Sequence, residues 1–106
     1  MMNNKRLEQL LSMLEKSPDE AFLLFAIAKE YEKADDKDNA LKYYHTLTDE
    51  IPDYVGTYYH LGKFYEKLEN FDKAIKIYEK GMSVAKTAGD NHSLSELAGA
   101  KMNLED

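Results

Sequence analysis

Cysteine and tryptophan are absent from this sequence of 106 residues, and proline occurs only twice. Without cysteine there is no disulfide, no thiolate nucleophile and no cysteine-based zinc site, and the absence fits a reducing compartment. Long apolar runs are missing too. The opening stretch, "MMNNKRLEQLLSMLEKSP", interleaves charge with leucine instead of building the continuous apolar block of a secretion signal. The expectation is a cytoplasmic protein that does not engage a membrane. Basic runs are equally scarce: none is longer than Lys5-Arg6, and 20 acidic against 14 basic residues leave a net charge of −6. A chain of that sign has no stripe with which to track phosphates, so nucleic acid is not an expected partner.

The groupings that carry chemistry are also lacking. His45, His60 and His92 fall in separate stretches without metal-ligand spacing. The "DDKDN" run from Asp35 to Asn39 lacks the glycine and the terminal glutamate of a calcium loop. No serine sits in a nucleophile elbow, and no glycine-rich phosphate loop or nucleophile–base pair occurs. The reading is a non-enzyme, with no catalytic residues, no metal and no cofactor.

What is present is a soluble, foldable composition, 43% hydrophobic and 32% charged, with a length that suits one domain. Pro18 and Pro52 stand 34 residues apart, each followed by aspartate. An ungapped alignment of 21–54 on 55–88 pairs Lys29 with Lys63, Tyr31 with Tyr65, Glu32 with Glu66, Lys33 with Lys67, Asp38 with Asp72, Ala40 with Ala74, Lys42 with Lys76 and Tyr44 with Tyr78. Apolar positions align as well, including Leu24 with Tyr58, Ile27 with Leu61 and Leu41 with Ile75. A repeat of this length is one supersecondary unit that buries its apolar face against its neighbours.

Inside each unit the apolar period is helical: Leu24, Ile27, Ala28 and Tyr31, then Ala40, Leu41, Tyr44 and Leu47. Polar turns, "KADDKD" and "LENFD", separate the two helices of a unit. Six helices are predicted near 4–16, 20–33, 37–49, 54–67, 71–85 and 93–104. Ser17 to Glu20 and Ser93 to Glu96 read as capping boxes, with each serine as N-cap. The first helix carries Leu7, Leu10, Leu11 and Leu14 on one face and is expected to cover the first repeat. Small residues inside the helical runs, Ala28, Ala40, Gly62 and Ala74, mark the crossings where two helices of a unit approach to about 8–10 Å, with Tyr65 and Tyr78 filling the space beside them. Tyr31, Tyr44, Tyr65 and Tyr78 are assigned to the core; Tyr43, Tyr54, Tyr58 and Tyr59 are left over, in surroundings too acidic for a base-stacking platform.

The pattern resembles the tetratricopeptide repeat, through Tyr58, Leu61-Gly62, Tyr65, Ala74, Tyr78 and Gly81 in 55–88 and through Leu24, Ile27-Ala28, Tyr31, Ala40, Tyr44 and Pro52 in 21–54. Leu47 departs from the small residue usual at its place, and Lys86 from proline; both departures are expected to loosen packing. The resemblance implies an all-α fold, a right-handed α-solenoid of antiparallel helix pairs forming a single domain: a half-repeat helix at 4–16, repeats at 21–54 and 55–88, and a capping helix at 91–104. It also implies an adaptor that binds a protein or peptide in the concave groove lined by the first helices. On those helices a second stripe lies about 100° from the packing face. It holds Phe25, Lys29 and Glu32 in one unit and Tyr59, Lys63 and Glu66 in the next, with Phe22, Lys33 and Lys67 at the margins. Stacked units would set Phe25 beside Tyr59 and Lys29 beside Lys63, fitting a segment with an apolar anchor and an acidic group. The other reading of the lysines is pairing with Glu32 and Glu66. The family's version that grips the C-terminal carboxylates of chaperones has lysine and asparagine where this chain has Phe25 and Lys29. The alternative function is structural: exposed end faces or the groove mediate weak homo-oligomerisation.

Overall fold

The structure, a computed structural model, describes residues 4–105. Among them are six α-helices and no strand: α1 (Lys5–Lys16), α2 (Ala21–Lys33), α3 (Lys37–Glu50), α4 (Gly56–Lys67), α5 (Phe71–Ala88) and α6 (Asn91–Glu105). The fold class is all-α, with helices packed as consecutive pairs. No helix among the described residues is long and apolar enough to cross a membrane.

Four of the six helices, α1, α3, α5 and α6, start after short polar side chains that satisfy orphan amides. Asn4 accepts from the Leu7 N–H at 3.0 Å, Asp36 from Asn39 at 3.3 Å, Asn70 from Lys73 at 3.3 Å and Asp90 from Ser93 at 3.1 Å. Neither expected capping box forms. Ser17 closes α1, its N–H donating to the carbonyls of Met13 and Leu14, and α2 starts after Glu20 with no side-chain cap. Ser93 lies inside α6, where its N–H and hydroxyl both donate to Asp90.

The turn within each repeat has the same construction. Asp35 and Glu69, at matching positions, adopt left-handed backbone with φ of 60° and 59°. The next amide, of Asp36 or Asn70, donates back to the carbonyl of Tyr31 or Tyr65 at 2.9 Å. This geometry closes a helix by turning the chain through a conformation glycine usually supplies. At the end of α5 a glycine does supply it: Gly89 has φ 72°, and α5 runs to Ala88, three residues past its expected end.

The described residues form two compact units that divide between Ile51 and Pro52. In the first, α2 packs against both α1 and α3. Leu10, Leu23, Ala26 and Ile27 make a buried cluster against which Leu7, Leu11, Leu14, Tyr31 and Tyr43 pack. Tyr31, assigned to the core by its position, is only half-buried; its ring stacks on Tyr43 at 5.7 Å. In the second unit, α5 packs against both α4 and α6. Tyr58, left out of the core assignment, is fully buried there, and its hydroxyl donates to the Pro52 carbonyl at 2.5 Å.

The crossings rest on small residues. A methyl group added at Gly62 would enter the Tyr78 ring, 2.7 Å from Cδ1, and one at Gly81 would lie 2.9 Å from Tyr58 Cγ and 3.0 Å from Leu97 Cδ1. Ala28, Ala40 and Ala74 are fully buried. Leu47, expected to loosen the first repeat, is fully buried as well, and the partner position explains why: where the second repeat pairs Tyr58 with Gly81, the first has Leu24 and Leu47. Large plus small becomes medium plus medium, and the interior stays filled.

Candidate functional site

Within the first unit, Phe25, Lys29 and Glu32 are gathered on α2 around one buried side chain of α3. The Tyr44 hydroxyl donates to Glu32 Oε1 at 2.8 Å, the Lys29 ammonium lies 3.5 Å from the same oxygen, and the Phe25 ring meets the Tyr44 ring edge-on at 6.5 Å. The second unit repeats the arrangement on α4. Tyr78 donates to Glu66 Oε2, Lys63 lies 3.6 Å from that oxygen, and the Lys63 ammonium stands 5.6 Å above the Tyr59 ring.

The lysines are therefore paired with Glu32 and Glu66, as the second reading of the sequence had it, while remaining partly open to solvent. The glutamates are the fixed members of each group. Burial, followed by the hydrogen bond to the neighbouring carboxylate, pushes the Tyr44 and Tyr78 hydroxyls well above their ordinary range. Each hydroxyl stays a proton donor and holds its carboxylate in one place.

The marginal residues do not join these groups. Lys33 turns to Glu30, 3.8 Å away, and Arg6 of α1 reaches the same oxygen at 3.3 Å. Phe22 is exposed and borders a cleft between α1 and α2 with Arg6, Gln9 and Met13. Lys67 is exposed at the end of α4. In the second unit Tyr59 also lines a cleft between α4 and α6 with His60, Ser93 and Glu96, a juxtaposition the repeat register did not suggest. The tyrosine hydroxyls were likewise missed as anchors, because the sequence reading used only their rings. The signal was available: a glutamate twelve residues before a core tyrosine occurs in both units. Among the described residues, no group of three or more histidine, aspartate or glutamate side chains is placed to hold a metal ion.

The sequence profile described as tetratricopeptide repeat matches residues 55–87. A tetratricopeptide repeat domain protein from Salinibacter ruber is similar at 45% identity. Its solution structure superposes with a TM-score of 0.79, covering 83% of this chain and 89% of that one. The corresponding crystal structure gives 0.74 over 81% and 96%. A Bordetella parapertussis protein solved in solution is similar at 27% identity, with a TM-score of 0.80 over 99% of this chain and 90% of that chain. No curated protein matches.

Proposed function

Since the chain belongs to the tetratricopeptide repeat family, whose domains are generally protein–protein interaction modules and typically non-catalytic, we propose that it is an adaptor taking a partner segment on the first helices of its repeats. The observation that supports this reading is the duplicated face: Phe25, Lys29 and Glu32 on α2, and Tyr59, Lys63 and Glu66 on α4, each backed by a buried tyrosine. An aromatic ring next to a lysine suits a segment with an apolar anchor and an acidic group.

The backing tyrosine gives a way to exchange partners. When a ligand carboxylate draws Lys29 or Lys63 away, Glu32 or Glu66 keeps its tyrosine donor. The cost is one partly exposed ion pair, worth on the order of 1 kcal/mol. Phe22, Lys33 and Lys67 contribute at most at the margins of the bound segment. Binding of this kind weakens as salt rises, since the charges sit near the surface.

The experiment is an affinity capture with mass spectrometry, comparing wild type with the double variant Lys29→Glu/Lys63→Glu. Proteins captured by wild type and lost from the variant, at unchanged helicity, support the reading. Identical capture by both overturns it. Light scattering over a concentration series checks the self-associating alternative.

A further inference from the structure

Shifted back by one repeat, α1 takes the register of α3 and α5. Arg6 corresponds to Ala40 and Ala74, Leu10 to Tyr44 and Tyr78, and Met13 to Leu47 and Gly81. In α3 and α5 these positions form the ridge that receives the first helix of the pair: Ala40, Tyr44, Leu47, Ala74 and Tyr78 are all at 0% exposure. In α1 the same ridge is buried at Leu10 and open on either side of it. The Arg6 side chain is 62% exposed and Met13 53%, and with Phe22 they border a cleft whose floor is Leu10 and Leu23.

We propose that this cleft is the seat of an amphipathic helix from a partner protein, one that lays an apolar ridge over Leu10 and Met13 and sets an acidic side chain at the level of Arg6. The shape follows from register, because these are the positions through which a second helix of this fold receives a first helix. The cleft runs from Arg6 to Ser17, about 16 Å along α1, or three helical turns.

Charge specifies the rest. Alanine occupies the Arg6 position in both repeats, whereas here a guanidinium stands there. One of its nitrogens reaches Glu30 at 3.3 Å, and its exposure leaves other N–H donors for a second carboxylate. At the opposite end of the cleft lies Glu20. In the second unit Gly62 faces Tyr78 while Tyr58 faces Gly81, so the two helices of that pair run antiparallel. A helix seated on α1 in the same sense points its N-terminus at Glu20 and its C-terminal end at Arg6, and both match the helix dipole.

Size complementarity chooses a probe. Met13 resembles Leu47, which accompanies Leu24, more than Gly81, which accompanies Tyr58. A fluorescein-labelled peptide of residues 53–70 carrying Tyr58→Leu therefore places leucine over Met13, Gly62 over Leu10 and Glu66 near Arg6. Titrated with the full chain, it is expected to give saturable anisotropy. Met13→Asp, at an exposed position, lowers the affinity about tenfold or more, the loss that follows from setting a charge into the apolar contact. Arg6→Glu lowers it too, and a peptide that also carries Glu66→Lys restores it. Lys29→Glu/Lys63→Glu leaves this binding unchanged, so this proposal and the adaptor reading fail separately. Absence of saturable binding, or binding indifferent to Met13→Asp, overturns the proposal. So does a wild-type dimer in sedimentation that Met13→Asp dissolves, which would make a second copy the occupant.

Discussion

Tyr58 occupies the space that a side chain at position 81 would need: a methyl group on Gly81 would meet the Tyr58 Cβ and lie 2.9 Å from its Cγ. The matching pair in the first repeat, Leu24 and Leu47, is also buried, so each unit has settled the same volume in a different way. Gly81→Leu is expected to destabilise the protein by about 1–3 kcal/mol through overpacking. Adding Tyr58→Leu recreates the first repeat's pair and recovers most of the loss. A double-mutant cycle from denaturant melts measures the coupling, and additive costs would contradict it.

Removing the anchoring hydroxyls tests the carboxylate groups. Tyr78→Phe removes the hydroxyl that anchors Glu66, leaves that carboxylate beside the exposed Lys63, and is expected to cost about 1 kcal/mol. Tyr44→Phe should behave alike through Glu32. An unchanged midpoint in both would mean that water replaces the hydroxyl without loss.

Alkaline pH acts on the same groups with a definite sign. Burial first, and the adjacent carboxylates second, raise the Tyr44 and Tyr78 hydroxyls above their ordinary value of 10.0. The folded state keeps these protons when the unfolded chain loses them. The stabilisation they bring is fully present below pH 10 and falls as pH rises further. Melts between neutral pH and pH 11 should show this decline, and it should shrink in Tyr44→Phe/Tyr78→Phe.

The left-handed turn positions carry avoidable strain. Glu69 at φ 59° and Asp35 at φ 60° hold a conformation that costs a side chain about 1–2 kcal/mol. Glycine removes that cost and adds back about 0.5–1 kcal/mol of unfolded-state entropy. Glu69→Gly should therefore raise stability by about 0.5–1 kcal/mol, with a higher melting temperature as the readout.

Much of the architecture was legible because it depends on period and register. The 34-residue offset, the apolar spacing of Leu24, Ile27 and Ala28, and the small residues at 62 and 74 all follow from helices that must cross closely. The capping boxes misled because a serine before a helix has two possible duties. The Ser17 amide closes α1 and its carbonyl accepts from Glu20 at 3.2 Å in a turn between the helices, so α2 starts only after Glu20. At α6 the better sign was Gly89 followed by Asp90, one residue ending a helix and the next starting another. The Asp90 carboxyl is held below the usual range chiefly by the Ser93 amide. The candidate site was legible as a stripe on two helices, but not in its electrostatics. The hydroxyl contacts of Tyr44 and Tyr78 join residues on different helices, and a pattern read along one helix does not reveal them.

The tyrosine–carboxylate contacts also give the molecule an optical reporter. With no tryptophan and eight tyrosines in the chain, its intrinsic emission comes from phenol rings alone. A phenol becomes a far stronger acid in its excited state. A ring hydrogen-bonded to a carboxylate, as Tyr44 and Tyr78 are, can pass its proton across and lose normal emission. That quenching lasts only while the hydroxyl and the carboxylate stay in contact. Parting the two on unfolding restores the phenol emission, so the state of each tyrosine–glutamate contact registers as light without any attached dye.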